Sequence, residues 1–143
     1  MKSVVRIAIA FMPLLSFSTY AEETQMVPIE EFLKSENSGK DELGDATKSF
    51  VGLRCTSLML IWSKFLRDNG KNDLSQEFER SAELALGLAK SVKLFNEEYG
   101  REQIRIMVGG YKERWLKAKA MTGNVSDDRL IKSDMLLCRQ IFQ

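Results

Sequence analysis

Apolar side chains recur at three- and four-residue spacing in four successive stretches of this chain, and nowhere does a two-residue alternation persist. A period near 3.6 residues marks helices that bury one face, so the pattern predicts an all-α fold. The first stretch starts near Asp45 or Thr47 and stops at Asn69-Gly70, where glycine suits a left-handed cap. One apolar row runs Phe50, Leu53, Leu58, Ile61 and Phe65, and a second runs Val51, Cys55, Leu58, Trp62 and Leu66. Because Leu58-Met59-Leu60-Ile61-Trp62 is apolar on every side, this helix is expected at the centre.

A second helix is signalled by Asp73 or Ser75 as N-cap, with Gln76 in capping-box position, and is expected to end at Tyr99-Gly100. Its inward row reads Phe78, Ala82, Ala85, Ala89 and Val92, with Leu84, Leu88 and Phe95 alongside, and Gly87 and the alanines invite close approach by a neighbour. A third helix spans Arg101 to Met121, with Ile104, Met107, Val108, Tyr111, Trp115 and Ala118 in register. Gly109-Gly110 falls in its middle at about 1 kcal/mol per glycine, which predicts a kink or a tight crossing. A fourth begins after Ser126 or Asp127 and carries Leu130, Ile131, Met135, Leu137, Cys138, Ile141 and Phe142. Four helices of roughly 16 to 25 residues joined by short turns imply a single domain in a bundle-like or orthogonal array.

The N-terminus reads as an address rather than as fold. Lys2 and Arg6 precede an apolar run from Ile7 to Phe17, which ends in Thr19-Tyr20-Ala21 and is followed by Glu22-Glu23. Basic, apolar and small segments in that order match a secretory signal peptide over residues 1–21, cleaved after Ala21. The run is roughly a dozen residues against the ~20 needed to span a bilayer, and it contains Pro13, so no stable membrane anchor is expected after cleavage. The mature chain would therefore be periplasmic or secreted. In such an oxidising compartment the two cysteines, Cys55 and Cys138, are expected to pair and to pin the last helix to the central one. Closing that loop of roughly 80 residues is worth about 4 kcal/mol on the chain-entropy model.

Removal of residues 1–21 leaves 19 basic and 20 acidic side chains, a net charge of −1. So balanced a chain lacks the clustered positive charge on which nucleic-acid binding relies. The distribution is uneven, however. Residues 22–45 hold eight acids against Lys34 and Lys40, whereas residues 46–143 hold 17 basic and 12 acidic side chains, a net +5. Residues 22–45 are thus expected to form an acidic, mostly irregular arm, either laid over the helical domain of residues 46–143 or solvated. Pro28-Ile29-Glu30-Glu31-Phe32-Leu33 can add a helical turn or two, with Pro28 at the first position.

The chain contains no histidine and no Cys-x-x-Cys pair, which removes the commonest general base, the usual zinc and haem ligands, and the thioredoxin-like motif. Accordingly no cofactor and no metal site is expected. Glu83, Glu97, Glu98 and Asp134 are available for carboxylate chemistry, yet no spacing selects a pair. Asp134 lies one helical turn before Cys138, and Arg54 immediately precedes Cys55. A disulfide would therefore bring Arg54 and Asp134 together as a structural ion pair. Arg101, Arg105, Lys112 and Lys119 fall within roughly 40° of one another on a helical wheel. With Gly109, Gly110, Tyr111 and Trp115 they form a candidate binding surface, where the glycines leave room for a shallow pocket.

These features point to an exported helical protein that acts through contacts with a protein partner, in the manner of a chaperone, an inhibitor or an immunity protein. The alternative is a carrier of a small apolar or anionic ligand near Gly109, Gly110 and Trp115, and a third reading is a carboxylate-dependent hydrolase.

Overall fold

A computed structural model describes residues 26–36 and 44–143, and every regular element among them is helical. The export signal expected over residues 1–21 lies outside the described residues. The elements are α1 (Ile29–Glu36), α2 (Asp45–Asp68), α3 (Asn72–Lys90), α4 (Glu97–Thr122), a 3₁₀ turn (Val125–Asp127) and α5 (Arg129–Phe142). The fold is all-α, as the periodicity predicts, with one helix more than the four strong apolar stretches because the arm supplies α1.

Turn chemistry sets where these helices stop. At the end of α2, Gly70 takes φ +73°, its N–H donates to the Arg67 carbonyl, and the Lys71 N–H donates to the Leu66 carbonyl at 2.9 Å. This pairing is a Schellman cap, and it returns the chain to helical geometry already at Asn72. The expected Asp73–Gln76 capping box is therefore not used. Lys71 is the N-cap of α3, and Ser75 lies buried inside the helix, donating to the Ser63 carbonyl at 2.9 Å. Gly123, at φ +75°, ends α4, and the Asp128 carboxylate caps α5 by accepting from the Ile131 N–H at 2.9 Å.

The boundary expected at Tyr99-Gly100 is displaced. α3 stops at Lys90, where the Ser91 hydroxyl donates to the Leu88 carbonyl. α4 starts at Glu97, where Asn96 accepts from the Tyr99 N–H at 2.8 Å and Glu97 and Glu98 occupy the positive end of the helix. Val92 and Phe95 thus belong to the connection rather than to α3. Gly100 is no cap either: it sits within α4, where the Phe95 ring occupies the space of a Cβ. α4 runs as one continuous helix through Gly109-Gly110, and the chain does approach closely there, with Met26 Sδ 2.6 Å from where a Gly110 Cβ would stand.

α2 is the central helix and touches α1, α3, α4 and α5, while α3 and α4 flank it and are linked to each other by the Lys90–Glu97 ion pair where one ends and the other begins. Every residue from Val51 to Met59 is buried. Its closest neighbour is α3, and the approach is set by Gly52: a Cβ there would stand 2.6 Å from the Ala85 carbonyl and 2.7 Å from the Ala89 nitrogen. Ala85 and Ala89 provide the smooth face expected of them, whereas Gly87 faces open space. The polar residues drawn into α2's buried run are satisfied, Thr56 by the Gly52 and Ala82 carbonyls and Ser57 by the Leu53 carbonyl. Cys55 and Cys138 form a disulfide with a Cα–Cα distance of 5.5 Å, which pins α5 to α2.

The described part of the acidic arm is not a solvated tail. Ile29 is fully buried and shares the core with Cys55, Leu58 and Ile131. Phe32 packs at a tilt against Phe50, with 4.2 Å between ring centroids, and Glu31 meets Arg129 at 3.2 Å.

Candidate functional site

Two arrangements of side chains stand out, one buried and one exposed. The buried one is built around Asp134, a wholly enclosed carboxylate on α5. Its Oδ2 accepts from Arg54 Nη2 of α2 at 2.7 Å and also from the Tyr111 hydroxyl of α4. Its Oδ1 accepts from the Ile29 N–H of α1 at 2.8 Å. Arg54 completes the set, donating from Nε to the Tyr111 oxygen at 2.7 Å and from Nη2 to the Val27 carbonyl at 2.8 Å. One cluster thus ties together α1, α2, α4 and α5.

The position of each member follows from local sequence. Arg54 lies beside Cys55 and Asp134 one turn before Cys138, so the disulfide brings their helices to pairing distance. A buried charge is costly unless paired and hydrogen-bonded, and here the enclosed oxygens and guanidinium nitrogens of the cluster find partners. Burial, together with the negative charge of Asp134, pushes the Tyr111 phenol well above its ordinary range. Burial by itself would lower the Arg54 guanidinium, but Tyr111 and Asp134 outweigh it and raise it. The cluster is an enclosed clasp: Asp134 is wholly buried, and both of its oxygens accept hydrogen bonds from within the cluster.

The expected binding surface is divided by the structure. Tyr111 and Trp115 point into the core, and Tyr111 is fully buried. The reason is their shared row with Ile104 and Ala118, which α4 turns toward α2. Trp115 packs against Trp62 at 4.7 Å and Phe65 at 4.8 Å between centroids. Gly110 offers no pocket, since Met26 Sδ lies 2.6 Å from where a Cβ would stand. Gly109 faces open space. Of the two glycines expected to leave room for a ligand, Gly110 is thus covered by the chain's own arm and Gly109 is not.

Arg101, Arg105, Lys112 and Lys119 are all exposed along the outer side of α4. Arg105 is engaged by Glu102 of the same helix, at 2.6 Å. Among the described residues Arg101, Lys112 and Lys119 form no ion pair. Between the two lysines lies Leu116, which is 58% exposed. Sequence reasoning missed this leucine, although its signal was present: it falls off the inward row, four residues after Lys112 and three before Lys119.

Surface recesses also occur elsewhere among the described residues. One, of about 530 Å³, is lined by Gly70–Leu74, and another, of about 370 Å³, is lined by residues of the α3–α4 connection together with Asp45, Ala46, Ser49 and Tyr99. Neither holds a pair of carboxylates. Glu97 pairs with Lys90 at 2.8 Å, and Glu83 and Glu98 are exposed and lie outside both recesses.

No known family, curated protein or solved structure matches this chain.

Proposed function

We propose that this chain is an exported protein of the periplasm or extracellular space that works by binding another protein, with the outer face of α4 as its contact surface. The observation that carries the reading is the cluster Lys112, Leu116 and Lys119: two cations without a partner among the described residues, with a largely exposed leucine between them. An exposed large apolar side chain flanked by unpaired charge of one sign suits a partner that offers a matching apolar recess rimmed by carboxylates. The net positive charge of residues 46–143 favours the same kind of partner through long-range attraction. An inhibitor, an immunity protein and a chaperone would all use such a face, and the partner's identity distinguishes them.

The test compares the mature, oxidised chain with its Lys112→Glu/Leu116→Asp/Lys119→Glu variant as bait in native envelope extract. All three positions are exposed, so the variant should keep the fold. A partner held by the wild-type chain and weakened about tenfold or more in the variant, with a salt-sensitive association rate, is the expected result. Equal retention by both baits overturns the assignment of this face.

A further inference from the structure

The two groups that hold the arm's backbone belong to different helices. Asp134 on α5 receives the Ile29 N–H, and Arg54 on α2 donates to the Val27 carbonyl. Arg54 adjoins Cys55, and Asp134 precedes Cys138 by one helical turn, so the disulfide fixes the spacing of both anchors. Apart from that bond, α5 touches α2, α3 and α4 far less extensively than α3 touches α2. The arm's apolar anchor, Ile29, fills a site completed by α5 residues Leu130 and Ile131.

We propose that docking of the arm and closure of the Cys55–Cys138 bond are coupled, so that the arm seats fully only on the oxidised chain. With the cysteines unjoined, α5 is free to shift. Asp134 then leaves Arg54, and the Ile29 N–H and Val27 carbonyl lose their buried partners together. The arm acts as a strap whose position reports whether the covalent staple is in place. A chain that has not met an oxidising compartment presents the arm undocked and open to proteases.

Coupling of this kind is reciprocal, because whatever the bond does for the arm, the docked arm must do for the bond. Two measurements on the full mature chain test it. In the Cys55→Ala/Cys138→Ala variant, hydrogen exchange at the Ile29 amide should rise about tenfold or more beyond any rise at Leu58 and Ala85 in the α2–α3 core. In Ile29→Ala, with both cysteines kept, the redox equilibrium is measured against dithiothreitol. The Cys55–Cys138 bond there takes two electrons and two protons from the dithiol, which closes to its cyclic disulfide. That equilibrium should shift about fivefold or more toward the reduced protein relative to wild type. Exchange at Ile29 that changes only in step with the α2–α3 amides overturns the proposal, and so does an unaltered equilibrium in Ile29→Ala. The second measurement decides the matter if the cysteine-free variant fails to fold.

Discussion

Replacing Asp134 with alanine should be among the most damaging single substitutions in this molecule. The Arg54 side chain is 3% exposed and the Asp134 side chain 0%, so the change leaves a guanidinium buried without its counter-charge. It also removes the acceptor of the Tyr111 hydroxyl and of the Ile29 N–H. Breaking a buried pair from one side costs about 3–5 kcal/mol. Against a typical total of about 5–15 kcal/mol for a domain of this size, that is a large fraction. At about 4 °C per kcal/mol, the melting temperature should fall by about 12–20 °C. Urea unfolding followed by circular dichroism measures the loss. The Arg54→Met/Asp134→Leu double variant supplies the control, since removing both charges abolishes the unpaired-charge penalty. It should cost at least about 2 kcal/mol less than the sum of the two single changes. A loss below about 1 kcal/mol for Asp134→Ala, or strictly additive costs, would refute the view of this cluster as a mutually dependent clasp.

Further expectations follow from particular residues. Gly52→Ala should destabilise by about 1–3 kcal/mol, because the new methyl meets the α3 backbone and forces the two helices apart. Gly109→Ala, a change in open space within a helix, should stabilise by about 0.5–1 kcal/mol; opposite signs in chemical denaturation are the required outcome. The raised Tyr111 phenol makes stability fall at alkaline pH: above the ordinary value of 10.0 the unfolded chain releases that proton while the native chain keeps it. The stability due to Tyr111 is thus fully present below that value and is lost as pH rises, by up to about 1.4 kcal/mol per pH unit. Tyr111→Phe should flatten that slope, and an equal slope in both proteins would contradict it. Protein recovered from the periplasm or medium should begin at Glu22 by intact mass, and an N-terminus at Met1 there would exclude cleavage.

The elements and the staple were legible from local rules, and the clasp only in part. Helical periodicity and the glycine at position 70 act over a few residues, so they mark helices and ends without reference to the rest of the chain. The start expected after Ser126 or Asp127, by contrast, moves to an Asp128 cap because residues 125–127 first make a 3₁₀ turn. The end of α3 was misread because Val92 and Phe95 continue the apolar period, and only the Asn96 cap and the packing of Phe95 on Gly100 show that the chain leaves the helix there. Arg54 and Asp134 were readable as a pair because each sits beside a cysteine. Tyr111 was placed both on the inward row and on the binding surface, and burial decided for the first.

What the residue order determined by itself is therefore the short-range part: an all-helical chain, a central α2, two cysteines able to join and a basic outer edge on α4. What only the tertiary structure decided is the role of the arm and the composition of the exposed face. The Ile29 N–H and Val27 carbonyl are ordinary backbone groups with no sequence signature. They gain partners only when the chain folds back on them, Asp134 reaching the Ile29 N–H from 105 positions away and Arg54 reaching the Val27 carbonyl from 27. Burial is a property of the whole packed assembly, so it alone could move Tyr111 inward, leave Leu116 outside and seat Met26 over Gly110.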